Sequence, residues 1–153
     1  MATWSDFENA EPEMAEAGKK LLYQFGVGLA FLATVRKDGA PRLHPICPTV
    51  VNGRLYALIV DSHKRNDLRR DGRYALHTFP PVDVDDEFLV MGRAKLIEDP
   101  EVAEMVRKDQ VARGMTSTND ELAFEFGIER AMHAKYPGGH GTWPPKYSIW
   151  KER

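Results

Sequence analysis

Residues 62–70, Ser62-His63-Lys64-Arg65-Asn66-Asp67-Leu68-Arg69-Arg70, place a helix-capping hydroxyl ahead of a dense run of cations. They follow the aliphatic stretch Leu55-Tyr56-Ala57-Leu58-Ile59-Val60, which is strand-forming by composition. A Ser at the start of a helix accepts a hydrogen bond from a free N–H of the first turn. The same helix end carries unpaired donors and partial positive charge, which suits an anion. Lys64 adds a point charge and Arg65 another. The run reads as a phosphate seat or as a solvated basic face, and the segment by itself leaves both open. The remaining reactive side chains form no recognisable constellation. His133 and His140 with Cys47 lack metal-ligand spacing, so no metal site is expected. Cys47 reads as a small buried hydrophobe, without the partner motif of a nucleophile. His44 suits either a ligand contact or a strand residue facing a polar groove.

The elements that would carry these groups follow from pattern. Residues 11–24 have Pro12 and acidic residues in a first turn, apolar residues at helical spacing and Gly26 as a stop. Residues 29–35 are short, apolar and β-prone. Lys37-Asp38-Gly39 turns the chain into a strand over 41–51, and Asn52-Gly53 is a strong hairpin signal before a strand over 54–60. Strands over 73–79 and 87–97 follow, the second with Gly92 as a bulge. Asp99-Pro100 opens a helix to about 113. Thr118-Asn119-Asp120-Glu121 has capping-box spacing and predicts a further helix through 135. A Gly/Pro-rich loop, 137–145, precedes a last strand over 147–151. The prediction is a single mainly β domain, 1–153: an N-terminal helix (11–24), a barrel core (28–98), helices (100–135) and a last strand (147–151). Six mostly antiparallel strands of this kind curl into a small barrel with peripheral helices.

At 153 residues the chain suits one domain. Apolar content of 42% and charged content of 29% are those of an ordinary globular protein, and a net charge of −2 with interspersed signs points to neither nucleic acid nor membrane surface. One cysteine excludes an internal disulfide framework, and the first residues lack the basic and apolar regions of a signal peptide. The expectation is a cytoplasmic protein.

The series Asp38-Gly39-Ala40-Pro41-Arg42-Leu43-His44-Pro45, Asn52-Gly53, Ser62-His63-Lys64, Arg73 and Glu87 to Gly92, in this order and at this spacing, resembles the pyridoxamine 5′-phosphate oxidase-like family of FMN-binding split barrels. The resemblance covers roughly residues 21–99. It implies a six-stranded antiparallel split β-barrel and a homodimer with flavin sites between protomers. It places Arg42 on the phosphate-binding strand arginine, and Ser62, His63 and Lys64 on the phosphate segment with Val60 just before it. His44, Pro45, Ile46 and Cys47 fall on the run whose backbone meets the edge of the isoalloxazine ring. Glu87 falls where the oxidase has a glutamine near the flavin. Trp143 is a candidate to cover the flavin from the partner, or to anchor its own loop. The chemistry agrees: a phosphate dianion suits a guanidinium fork plus a lysine, and Pro45 and Pro48 suit an edge or distorted strand whose polar groups remain free. The oxidase's Arg/His-rich closing segment has no counterpart in the closing residues His140-Gly141-Thr142-Trp143-Pro144-Pro145-Lys146-Tyr147, which argues against vitamin B6 as substrate.

The expected function is therefore an FMN-dependent oxidoreductase acting on a small molecule, with no catalytic side chain assigned. Two alternatives share the scaffold. A deazaflavin coenzyme has a longer charged tail, for which Arg65, Arg69 and Arg70 are available. A non-catalytic flavin or haem binder would draw its axial ligand from His44, His77, His133 or His140.

Overall fold

The computed structural model describes residues 1–153. Its first half runs α1 (Trp4–Ala10), α2 (Pro12–Leu22), β1 (Ala30–Val35), β2 (Pro41–Ile46), β3 (Pro48–Val51) and β4 (Arg54–Ile59). The second half runs α3 (His63–Arg70), β5 (Arg73–Thr78), β6 (Glu87–Leu96), α4 (Pro100–Ala112), β7 (Leu122–Lys135) and β8 (Lys146–Lys151).

Turn chemistry sets the hairpins. Asn52 and Gly53 lie at φ 48° and 69°, the two left-handed positions that a tight β3–β4 turn requires. All strand pairs are antiparallel, in the order β2-β1-β5-β6-β7-β4-β3, with β8 added to β7. β2 and β3 stand at opposite ends of this order, yet Cys47 alone separates them in the chain. One residue spans under 4 Å, so the sheet curls until its two ends meet. That is the split barrel: β2 and β3 are joined by the chain and not by a ladder.

This corrects three expectations. The strand expected over 41–51 is two strands with different partners, β1 for its first half and β4 for its second. The helix expected over 118–135 is β7, and β7 rather than the C-terminal strand is the sixth stave of the barrel. Only half of the Thr118–Glu121 capping box forms, the Thr118 N–H donating to Glu121 Oε1 at 2.7 Å, and no helix follows it. From Leu122 the chain alternates instead, and Phe124, Phe126 and Ile128 are each at most 1% exposed. Third, the 11–24 helix is shortened to α2, and α1 precedes it. A capping box on Thr3 and Asp6 starts α1, whose Trp4 and Phe7 enter the main core.

That core lies inside the curled sheet. Trp4, Phe7, Phe88 and Trp150 form one aromatic cluster with centroids 5.3–6.2 Å apart. Full burial of the Phe7 and Phe88 rings contributes about 1.5–3 kcal/mol each. The bulge expected in the fifth strand is present as a register shift between Met91 and Gly92. A second apolar layer, Tyr56, Leu58, Val106 and Ala123, seats α4 on β4 and β7. The outer face elsewhere keeps large apolar groups in solvent: Leu43 is 63% exposed, Tyr147 51% and Ile149 52%. No helix is long and apolar enough to cross a membrane.

Candidate functional site

Along β2, Arg42, His44 and Ile46 stand opposite Thr34, Leu32 and Ala30, all three of them buried. Side chains alternate across a strand, so these three β2 residues share the inner side, and Leu43 and Pro45 take the outer one. The inner side of β2 meets α3, which Ser62 caps as expected. Ser62 Oγ accepts from the Arg65 N–H at 3.4 Å and donates to the Val60 carbonyl at 2.9 Å. The hydroxyl thus fixes both the strand exit and the helix start.

An acid that the sequence reading passed over organises this end of the barrel. Asp67, 3% exposed on α3, accepts hydrogen bonds from Arg42 Nε at 2.7 Å, Thr34 Oγ1 at 2.9 Å and Arg70 at 3.2 Å. Burial disfavours its charge, but the hydrogen bonds from Arg42, Thr34 and Arg70 outweigh that and hold its carboxyl below the usual carboxylate range. The signal for it was available: Asp67 is the one acid in a basic helix, three residues before Arg70, which is where a helical ion pair forms. Arg42 is anchored through Nε alone, and its two terminal nitrogens make no hydrogen bond within the chain.

Around this hub lies an open cleft of about 520 Å³ with no apolar lining residue. Arg36, Lys37 and Asp38 of the β1–β2 turn line it, with Arg42 of β2 and His63, Asn66, Asp67 and Arg70 of α3. The expected phosphate set is therefore divided. Arg42 and His63 line the cleft, and Ser62 and Lys64 do not. Lys64 is half-buried without an ion partner, and burial lowers its pKa. Of the arginines considered for a charged tail, Arg70 lines the cleft; Arg65 is 14% exposed and paired with Asp61 at 2.7 Å, and Arg69 is exposed outside it.

At the other end of β2 is the seam. The Cys47 carbonyl accepts from Gln110 Nε2 of α4, and the Cys47 N–H makes no hydrogen bond within the chain. Burial pushes the Cys47 thiol up, which keeps it neutral and poorly nucleophilic. Tyr23 at the end of α2 bonds Thr49 Oγ1 (3.0 Å) and accepts from the Val50 N–H (2.6 Å); Asp109 of α4 accepts from Thr49. Gly28 closes the back, where an added Cβ would stand 1.9 Å from the Pro48 carbonyl oxygen. The sequence reading missed Gln110 and Gly28, and only the fold brings them to Cys47.

The other expected residues lie elsewhere. Glu87 sits on the outer side of β6, 3.3 Å from His77 Nε2, and accepts from the Tyr136 hydroxyl at 3.4 Å. Trp143 is 71% exposed on the loop between β7 and β8. In that loop His140 bonds Asp85 and the Val82 carbonyl, each at 2.6 Å. Both nitrogens of His140 are thus occupied, and those of His77 lie against Thr78 and Glu87. Of the candidate axial histidines, that leaves His44 and the half-buried His133, whose pKa burial lowers.

Comparison with solved structures gives the same architecture. A haem-binding protein from Mycobacterium smegmatis aligns at TM-score 0.64 and 18% identity, over 88% of this chain and 57% of that one. A Clostridium acetobutylicum protein related to general stress protein 26, of the pyridoxinephosphate oxidase family, aligns at 0.60 and 15% over 96% and 95%. A conserved hypothetical protein of Mycobacterium tuberculosis aligns at 0.58 and 23% over 67% and 74%. No curated protein matches the chain. The family model described as pyridoxamine 5′-phosphate oxidase matches residues 19–132. With three-quarters of its length inside that match, and the split barrel built around it, the chain belongs to the pyridoxamine 5′-phosphate oxidase family.

Proposed function

We propose that this protein binds FMN along β2 and acts as a flavin-dependent oxidoreductase on a small molecule. The observation that carries this is Arg42. Its Nε is fixed on buried Asp67 while both terminal nitrogens remain free beside the basic start of α3. A guanidinium held in place by a carboxylate is preorganised for a phosphate, because little conformational freedom is lost on binding. Lys64, half-buried and unpaired, supplies the point charge, and the Ser62 cap leaves the helix start in register for the same anion. Five residues along β2, roughly 16 Å at strand rise, the unpartnered Cys47 N–H offers a donor to a ring edge. The flavin supplies hydride and electron transfer; the chain holds its phosphate, presents a donor to its ring and shields it from water.

The reading includes a second copy of the chain. Leu43 of β2 and Tyr147 and Ile149 of β8 are exposed apolar side chains on the outer sheet face, of the kind a second copy would cover. The haem-binding relative motivates the one competing reading, with His44 as axial ligand, since His44 lies on the inner side of β2.

The test is titration with FMN and, separately, with haem, followed by visible absorption with the particle mass alongside. FMN binding by a dimer supports the proposal. Replacing Arg42 or Lys64 by Ala removes charge-assisted hydrogen bonds of about 1.5–3 kcal/mol, which is about a 10- to 150-fold rise in Kd. Unchanged FMN affinity in both variants would sink the site assignment. A Soret band abolished by His44→Ala, with no response to FMN, would replace flavin with haem.

A further inference from the structure

We propose that the cleft beside Arg42 is a second anion subsite, distinct from the position served by Ser62 and Lys64, and that it takes the diphosphate of a nucleotide. The inference extends the FMN reading but can fail separately from it. Two observations carry it. The first is the division of the expected phosphate set. Arg42 and His63 line the cleft and Ser62 and Lys64 lie outside it, so an anion seated in the cleft is not the one that the Ser62 cap and Lys64 face. Arg42 stands between the two.

The second observation is what the cleft contains beyond Arg42. Its lining is wholly polar and carries four formal cations against two carboxylates, a net charge of +2 with histidine neutral. The carboxylates are already engaged. Asp67 is buried beneath Arg42 and Arg70, and Asp38 pairs with Arg36 at 3.1 Å. Donors remain free above them: the Lys37 ammonium, the Asn66 amide and the terminal nitrogen of Arg42 that the FMN phosphate does not take. The Arg36–Asp38 pair is exposed on both sides and yields readily to a stronger anion. About 520 Å³ is also far more room than one phosphate needs. A water takes about 30 Å³, so a five-atom phosphate group takes on the order of 100 Å³.

A diphosphate meets this arrangement better than a single phosphate or an apolar group. The diester diphosphate of a dinucleotide carries two negative charges spread over two phosphorus centres. Its oxygens can meet cations from different elements, Arg36 and Lys37 of the turn on one side and Arg42 on the other, while Arg70 adds charge with its terminal nitrogens held by Asp67 and the Val35 carbonyl. Such a diphosphate could belong to a dinucleotide form of the flavin or to a separate nucleotide that donates hydride. The cleft chemistry is the same for both.

Calorimetric titration with inorganic phosphate, pyrophosphate and ADP tests the inference, using wild type, Lys37→Ala and Lys37→Glu. Lys37 is an exposed turn residue, so these variants retain the fold. The expected result is pyrophosphate and ADP binding at least tenfold tighter than phosphate. Lys37→Ala should lose several-fold of that preference and Lys37→Glu most of it, with FMN affinity moving less than twofold. Pyrophosphate binding no tighter than phosphate overturns the inference, as does a Lys37→Glu variant that weakens FMN as much as ADP. A wild type that binds ADP but not FMN retains the subsite and overturns the FMN reading. Repeating the ADP titration on FMN-loaded protein separates the two sources. ADP binding to both the FMN-loaded and the FAD-loaded protein identifies a separate nucleotide, exclusion of ADP by FAD but not by FMN identifies the flavin's own diphosphate, and exclusion of ADP by FMN overturns the second subsite.

Discussion

The two ends of the β2–β3 segment are held by different physics. At the α3 end, a buried carboxylate is surrounded by donors from three elements, and geometry is set by charge-assisted hydrogen bonds. At the seam, Gly28, Tyr23, Thr49 and Gln110 hold the backbone at Cys47 and Pro48 by close approach and neutral or short polar contacts. The first end is open to solvent and responds to pH and ions. The second is closed and responds to volume. A ligand lying along β2 would thus meet an adaptable electrostatic grip at one end and a rigid edge at the other.

The largest effect should come from the rigid end. In Gly28→Ala the new Cβ would stand 1.9 Å from a carbonyl oxygen that belongs to the backbone and cannot rotate away. The seam must open, at a cost of about 3 kcal/mol or more. For a chain of this size that lowers Tm by roughly 6–12 °C, read by thermal melting. A Gly28→Ala protein as stable as wild type would show that the seam is not rigid.

The charged end should respond less, and with a pH signature. Asp67→Asn keeps the shape and loses the charge, removing about 2 kcal/mol of charge-assisted hydrogen bonding. The folded pKa of Asp67 lies below its ordinary 3.8. Its contribution is therefore present above about pH 4 and disappears as pH falls through the lower folded value. Denaturant melts should show wild type and Asp67→Asn diverging at neutral pH and converging in acid. A difference that does not change with pH would mean that Asp67 acts by packing alone.

How far the sequence foretold these two ends also differs. At the charged end local chemistry reports Ser62 as a cap and Lys64 as a cation beside it, the family resemblance adds Arg42, and Asp67, which holds them together, was overlooked. The seam was invisible because it is a product of topology. Nothing near Cys47 in the chain announces that residues 28 and 110 will converge on it. The helix expected over 118–135 failed for a related reason. Thr118 and Glu121 have the spacing of a local rule and make one of its two bonds, but the alternation Phe124, Phe126, Ile128 buries one face of a strand, and tertiary burial outweighed the local signal. α1 was missed although Thr3 and Asp6 have capping-box spacing ahead of Trp4 and Phe7.

The smallest effect lies outside both ends and sharpens the distinction between charge and packing. The loop between β7 and β8 is clasped to the 82–86 loop through His140, whose Nδ1 meets Asp85 and whose Nε2 meets the Val82 carbonyl. Both partners are acceptors, so both ring nitrogens must carry protons and the clasped ring is an imidazolium. The Asp85 carboxylate, then the Val82 carbonyl, raise its pKa above the ordinary 6.5. Because the folded value is the higher one, the clasp is complete below about pH 6.5 and is lost as pH rises through the folded value. The Gly141 N–H, which donates to Asp85 at 2.7 Å, reports it directly. Hydrogen exchange at Gly141, corrected for its intrinsic pH dependence, should lose protection as pH rises above the ordinary histidine value in wild type and show no such step in His140→Gln. The global melting temperature should stay the same in both, since the ring is exposed and nothing in the core rests on it. A His140→Gln protein that retained the step would show that the loop's pH response does not come from the clasp.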